Sequence, residues 1–413
     1  MRIRDWDRNL RIRLIGESLV GVTFWMIFPF IAIYFSEIFG KEKTGILLVI
    51  SQLFSVIANL LGGYLADRFG RKKMMVFAAC GQALAFLLFA LVNSPLFSSP
   101  FMSFICFALV GVCGSLYWPA SQAMVADVVS EKDQSSVFAV FYTVNNVMVV
   151  IGPLLGGIFY PEHRFFLFLI AGTFCGIVAI VLSIYLEETA PIWGKTTGTW
   201  YMFFVEQLNN YRLIAKDRTF LLFIVAGILV AQTFMQLDIL IPVYVKDVVS
   251  QQTLFSIGQW SFSLSGEKAF SVLIAENGLL VALFTVAVTK WMENYKVKWV
   301  FVFSSLFYGI AIFLFGQTTS LWMMIFLIAL FTLAELMTVG LQQTFVAKLA
   351  PEHMRGQYFA AASLRFTLGR MMAPLALTLP FAYHWTFFIL TLLAVCSAWL
   401  YAIMFRAMEE KQA

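Results

Sequence analysis

The chain has 413 residues, of which 61% are hydrophobic, 17% aromatic and only 12% charged, with a formal net charge of +5. Soluble domains carry roughly a quarter charged residues and a membrane-spanning helix needs about 20 apolar ones, so about 250 apolar residues here describe a polytopic membrane protein of roughly a dozen spans. The longest polar stretches, 186–218 and 246–270, leave no room for a sizeable soluble domain and hence for catalysis in one. In a membrane protein the placement of Lys and Arg matters more than their sum, and nucleic acid is not an expected partner.

In chain order, Arg2, Arg4, Arg8, Arg11 and Arg13 precede an apolar segment of span length without a small-residue cleavage site, which is expected to stay as the first membrane helix. Span-length apolar runs bounded by charged or turn-rich segments predict twelve helices. They cover 14–35, 45–65, 74–92, 101–124, 136–159 and 165–185, then 219–245, 271–291, 299–317, 320–345, 358–382 and 386–405. The chain thus reads as an all-α membrane protein. Of the 28 basic residues, 21 fall on the side of the termini, 5 on the opposite side and 2 inside a helix, which places both termini in the cytoplasm.

Shifting the second half by 221 residues aligns Val125 with Val346, Ala126 with Ala347, Glu131 with Glu352, Phe138 with Phe359, Ala139 with Ala360 and Pro153 with Pro374. A parallel duplication explains such a repeat. It predicts a six-helix bundle over 1–185, a cytoplasmic linker over 186–218, and a second, pseudo-symmetric six-helix bundle with a cytoplasmic tail over 219–413. Within the linker, 200–214 mixes apolar and polar residues and is expected to lie as an interfacial helix. Cys80, Cys106, Cys113, Cys175 and Cys396 all sit in apolar runs, and His163, His353 and His384 do not cluster, so no disulfide framework and no metal are expected. No nucleotide-binding P-loop pattern is present either.

The most specific local signal is Gly62-Gly63-Tyr64-Leu65-Ala66-Asp67-Arg68-Phe69-Gly70-Arg71-Lys72-Lys73 at the end of predicted helix 2. Its glycines allow close helix approach, Asp67 suits a neighbouring helix N-terminus, and its basic residues suit the anionic inner leaflet. The stretch resembles motif A of the major facilitator superfamily. That resemblance implies a conformational latch formed by Gly63, Asp67, Arg68, Gly70 and Arg71, with Asp127 of helix 4 as the partner of Arg71. A solvated positive loop accounts for the basic residues but not for the glycine and aspartate spacing. Gly152, Pro153, Gly156 and Gly157 in helix 5 are similar to the terminal part of motif C of drug/proton antiporters, which favours export; a packed, bent helix is the alternative.

A second resemblance covers nearly the whole chain. Gln236-Leu237-Asp238-Ile239-Leu240-Ile241-Pro242-Val243 in helix 7, and Thr332-Leu333-Ala334-Glu335-Leu336 leading to Ala350-Pro351-Glu352, are similar to segments of lactococcal-type multidrug/proton antiporters. By position, the resemblance makes Asp238 and Glu335 the proton-coupling carboxylates; the acid those antiporters place in helix 5 falls at Phe141 here.

A charge in the hydrocarbon layer is costly unless paired, hydrated or neutralised, so each such residue is a functional candidate. At about 1.5 Å per residue, Glu335 is about 20 Å from the outer end of its helix and Asp238 about 10 Å from the end of its own. Arg365 comes near the level of Glu335, where a salt bridge would make both structural or form a charge switch. Arg370, near the midplane with no partner visible in sequence, is either a structural pair or an anchor for an anionic or zwitterionic substrate group. Glu17 and Glu276 are shallow enough to reach the interface and are expected to be structural, with lining of the transport pathway as the alternative. Asn145, Asn146, Gln232 and Gln236 are substrate-binding candidates because buried amides require partners, and Trp25 and Tyr142 are candidates for a greasy cavity wall.

Together these features predict the major facilitator fold in a bacterial cytoplasmic membrane and a monomeric, non-enzymatic secondary transporter without cofactor. The expected activity is proton-gradient-driven, alternating-access efflux of lipophilic or multidrug substrates. The alternatives are export or flipping of an endogenous amphipathic or anionic molecule, and proton-coupled uptake. The partners expected are a small-molecule substrate, protons and the lipid bilayer.

Overall fold

A computed structural model describes residues 6–189, 217–257, 260–350 and 355–412. The predicted interfacial helix over 200–214 and most of the linker lie outside the described residues. Contacts divide the chain into two units, Met1–Gly40 with Leu47–Gly198, and Lys41–Ile46 with Thr199–Ala413.

In the first unit, α1 (Arg8–Ile27) runs through the 3-10 turn Phe28–Phe30 into α2 (Ile31–Phe39). Pro29 in that turn has no N–H to continue the α-helical ladder, so the predicted first helix is one span broken near its end. Next come α3 (Lys41–Phe69), α4 (Arg71–Leu91), a short hairpin of β1 (Asn93–Ser94) and β2 (Phe97–Ser98), then α5 (Pro100–Val128) and α6 (Glu131–Tyr185). The two predicted spans 136–159 and 165–185 are joined in α6, where His163 alone departs from helical φ and ψ. α6 packs along α1 and α4, and α5 along α4. The core there is aromatic: the Phe89 and Phe168 rings stack 4.0 Å apart, and Phe30 stacks on Tyr160 at 4.9 Å.

The second unit holds α7 (Arg218–Phe234), a 3-10 turn at Met235–Leu237, and α8 (Leu240–Val248). These make the predicted seventh span, interrupted at its middle. The stretch 246–270, expected as a loop, contains an antiparallel hairpin of β3 (Gln252–Ile257) and β4 (Trp260–Leu264). Then follow α9 (Gly266–Met292), α10 (Val297–Phe315), α11 (Leu321–Leu349), α12 (Arg355–Met372), α13 (Leu375–Thr378) and α14 (Tyr383–Gln412). α7 packs against α12 and α14, α10 against α11 and α14, and α9 against α8 and α11. Phe220, Phe223, Phe301, Phe345, Tyr401 and Phe405 fill the core between them.

Among the described residues, ten helices are long and apolar enough to span a membrane. One of them, Val140–Tyr185, has 46 residues and contains both spans that meet at His163. The predicted eleventh helix appears as α12 and α13; Ser363, Arg365, Thr367 and Arg370 along it keep its composition below that of a simple apolar span. The twelve predicted spans are therefore all present as helix.

Candidate functional site

The break in the seventh span places polar groups at mid-depth in the second unit. Gln232, on the last full turns of α7, donates its amide to the carbonyl of Gly369 at 3.2 Å. Gln236, in the 3-10 turn, donates to the carbonyls of Gln232 at 2.8 Å and Ala373 at 3.2 Å. Both amides are buried, as the sequence predicts, and both engage the end of α12, where Pro374 interrupts the helical ladder. The Gln236 side-chain oxygen is buried and accepts no hydrogen bond. Asp238 follows at once, and the positive charge of Arg370 acts on it. Arg370 is exposed and acts on Asp238 at a distance; the described ion pairs include none between them.

Glu335 lies midway along α11 and borders a cavity within the second unit. The cavity is also lined by Ser304, Ser305, Tyr308, Thr338, Gln342 and Arg365, with Phe234, Phe301 and Phe366 as its apolar wall. Asn277 of α9 donates its amide to Glu335 Oε2 at 3.2 Å and to the Thr332 hydroxyl at 2.9 Å. A half-buried carboxylate is thereby held by a side chain whose own position is fixed by a second bond. Asp238 is near enough to Glu335 to act on it electrostatically.

Arg365 and Glu335 share the cavity wall, but the described ion pairs include none between them. The Arg365 guanidinium donates to the Ala362 carbonyl at 3.0 Å, to Gln342 Oε1 at 3.4 Å and to the Tyr401 hydroxyl, and it lies over the Phe223 ring at 4.2 Å. The salt bridge considered from sequence is replaced by neutral acceptors and an aromatic face.

In the first unit, the glycine and aspartate motif forms a charge cluster. Arg71 bonds Asp67 through Nη1 and Asp127 Oδ2 through Nε at 3.3 Å. The expected helix-terminus partner differs: Glu188 Oε1, not Asp67, accepts the backbone N–H groups of Arg71 at 2.7 Å and Lys72 at 3.3 Å, and so caps α4. Thr189 adds its hydroxyl to Asp127 Oδ2 at 3.0 Å. Gly70 has φ of 103° and ψ of 150°, a conformation that side chains resist, and makes the sharp link between α3 and α4. Arg68 stands apart, bonded to the Tyr64 hydroxyl at 3.0 Å. The close helix approach is at Gly62, where a Cβ would come 3.1 Å from the Leu116 backbone, rather than at Gly63, where the nearest atom is Pro119 Cβ at 3.9 Å.

Gly152 and Gly156, one turn apart on α6, abut the α1 backbone at Trp25 and Met26, with Pro153 and Gly157 beside them, both buried. Trp25 thus packs on the helix 5 glycines. Tyr142 and Asn145 are exposed, and the Asn146 amide donates to the Tyr142 carbonyl at 2.9 Å. The two asparagines are therefore not the buried amides expected from sequence.

Two groups escaped the sequence reading. Arg13, counted there with the positive N-terminal arm, is 1% exposed and paired with Glu17; the i,i+4 spacing of opposite charges was the available signal. Asn277, inside an apolar run beside Glu276, was the other.

The model of the Major Facilitator Superfamily matches residues 14–266 and 255–413. A Na(+), Li(+), K(+)/H(+) antiporter of Planococcus maritimus is 53% identical, with 100% of this chain and 99% of that protein covered. The multidrug resistance protein MdtH of Klebsiella pneumoniae (strain 342) is 23% identical over 86% of this chain and 82% of its own. Among solved structures, a POT family transporter in complex with 5-aminolevulinic acid superposes with a TM-score of 0.75 at 15% identity, covering 96% of each chain, which shows the shared fold. The chain is a multi-pass membrane transporter and belongs to the major facilitator superfamily.

Proposed function

We propose that the protein exchanges monovalent metal cations for protons across a bacterial membrane. The observation that carries this reading is the 53% identity, along the whole chain, to a Na(+), Li(+), K(+)/H(+) antiporter. The second unit supplies matching chemistry. Hard monovalent cations are held by oxygen ligands, and transporters place them at interrupted helices near mid-membrane. Here Asp238 follows the break in the seventh span, and Glu335 faces a cavity furnished with the oxygens of Ser304, Ser305, Tyr308, Thr338 and Gln342.

In this mechanism a carboxylate at Asp238 or Glu335 takes either a proton or a metal cation, never both, so the release of one accompanies the binding of the other. Asn277 orients Glu335, and Arg370 balances part of the negative charge instead of anchoring an anionic substrate. The Asp67, Arg71 and Asp127 cluster serves as the latch that stabilises one state of the alternating-access cycle. No bond is made or broken apart from proton transfer, in keeping with a transporter that is not an enzyme and is driven by the ion gradient.

Efflux of lipophilic compounds is a second reading. The aromatic wall of Phe234, Phe301, Tyr308, Phe366 and Tyr401 around the Glu335 cavity and the distant MdtH relatives support it. Cation-dependent proton movement in proteoliposomes, with and without a competing lipophilic cation, separates the two. Metal-driven proton flux that the lipophilic cation leaves unchanged supports exchange of metal ions alone.

A further inference from the structure

Glu276 lies ten residues into α9, in a segment where Ser271, Leu273, Ile274, Ala275, Asn277 and Gly278 are all buried. Its Oε2 atom is buried and accepts no hydrogen bond, and no described ion pair includes it. An ionised carboxylate oxygen with neither a donor nor a counter-charge is not sustainable in a low-dielectric interior. Glu276 as a whole is half-buried, and no side chain in a described ion pair or hydrogen bond neutralises that oxygen, which leaves a proton or a bound cation to do so.

The level of Glu276 follows from helix register. Gly266, at the start of α9, abuts the backbone of Lys246 and Val249 at the end of α8, and these antiparallel helices pack together. Ten residues along α9 is about 15 Å and nine residues back from Asp247 is about 14 Å, which brings Glu276 to the level of Asp238. The next residue, Asn277, holds Glu335. Two residues before Asp238, the fully buried Gln236 leaves its amide oxygen without a donor. Glu276 and Asp238 thus share a level, with an unused amide oxygen nearby, the deeper Glu335 joined through the Asn277 side chain, and Arg370 as the cation acting on Asp238. The charged groups on the elements packed against α9 are Asp238, Lys246 and Asp247 on the α8 side and Glu335 and Lys348 on α11. Lys246 and Asp247 lie at the Gly266 end and Lys348 thirteen residues beyond Glu335, so no Lys or Arg on those elements comes to the level of Glu276.

We infer that Glu276 is a third ion-carrying carboxylate of this unit, holding a proton that a monovalent metal cation displaces. The step balances: the carboxylic acid gives its proton to water, and the resulting carboxylate takes the metal ion, with no change in net charge at the site. This deepens the cation/proton reading above and rests on it for the identity of the displacing ion, though not for the proton.

The test is infrared difference spectroscopy on the purified full-length protein, comparing wild type with Glu276→Gln and Glu276→Asp. Size-exclusion profiles and thermal melts establish that each variant is folded. In sodium-free buffer near neutral pH, the wild type should show a protonated-carboxyl stretch that Glu276→Gln lacks and Glu276→Asp retains at a shifted position. Adding NaCl, LiCl or KCl should remove that band, with choline chloride as the control. In proteoliposomes Glu276→Gln should raise the half-saturating Na⁺ concentration at least ten-fold. A Glu276 band that responds to pH but to none of the three metals keeps the proton site and overturns its exchange for metal. A wild-type spectrum identical to that of Glu276→Gln, with unchanged Na⁺ saturation, overturns the inference. Loss of proton flux for every metal in the wild type, with the Glu276 band still present, would instead count against the cation/proton reading.

Discussion

Arg13 and Glu17, one turn apart on α1, form an ion pair with a buried guanidinium and a half-buried carboxylate, in which Nε and Nη2 both reach the same carboxylate oxygen, at 3.0 and 2.9 Å. That oxygen also accepts the Ser121 hydroxyl at 2.7 Å and the Tyr117 hydroxyl at 3.2 Å from α5, while the Phe141 ring lies 4.8 Å from the guanidinium. Removing one partner of a buried pair leaves a charge stranded, which costs about 3–5 kcal/mol, whereas replacing both with apolar groups is often neutral. Glu17→Ala and Arg13→Ala should each destabilise the protein by about that amount, and Arg13→Met with Glu17→Leu should recover most of the loss. Thermal melts in detergent of the three variants measure this. Equal destabilisation by the double and single changes would show that the pair is not what holds α1 to α5.

Gly70 combines a positive φ with the Glu188 carboxylate directly against the place a Cβ would occupy, whereas Gly40, with φ of 78°, has nothing within 4 Å of that place. Backbone strain of this kind costs about 1–3 kcal/mol. Gly40→Ala should lose that much, and Gly70→Ala should lose more because the cap on α4 is also displaced. Adding Glu188→Ala to Gly70→Ala should bring no further large loss, since the contact has already been broken. Denaturation midpoints of the four proteins are the measurement.

The two neighbouring glycines of the same motif should differ, because only Gly62 meets a neighbouring helix closely. Gly62→Ala puts a methyl group 3.1 Å from the Leu116 backbone and should cost about 1–3 kcal/mol, as overpacking does. Gly63→Ala has ordinary van der Waals room and should stay within about 0.5 kcal/mol of wild type. Melting temperature and transport rate for each variant give the comparison.

Asn277 donates to Glu335 and Thr332 together, and hydrogen bonds to a charged group contribute about 1.5–3 kcal/mol. Asn277→Leu should therefore weaken the half-saturating Na⁺ concentration by about ten-fold or more, since about 1.4 kcal/mol is a factor of ten. Asn277→Gln should lie between the two. Cation titration of proton flux in proteoliposomes measures it, and unchanged saturation in Asn277→Leu would remove Glu335 orientation from the mechanism.

The spans were legible because apolar run length is dictated by the bilayer, and the Asp67, Arg71 and Asp127 cluster was legible because its residues sit in a dense motif. The breaks were less so. Pro29 announces the 3-10 turn at Phe28–Phe30, but the interruption at Met235–Leu237 comes before Pro242 and is visible only in the fold. The hairpin of β3 and β4 has a period-two alternation in Trp260-Ser261-Phe262-Ser263-Leu264, a strand signal short enough to pass for loop. At the candidate site, sequence identifies which residues are charged but not which of them meet. Arg370 acts on Asp238 across two spans and Arg365 turns to Gln342 and Tyr401 rather than to Glu335, because rotation about the helix axis, not depth alone, decides the partner.

The central claim is metal-for-proton exchange through Glu335, and acid-loaded proteoliposomes test it most directly. With a pH-sensitive dye inside, adding Na⁺, Li⁺ or K⁺ outside should make the lumen more alkaline as protons leave against the entering cation. Folded Glu335→Gln should lose the response. An unchanged lumen pH with all three metals in folded wild type, together with proton-driven movement of a lipophilic cation, would contradict the account and leave multidrug efflux in its place.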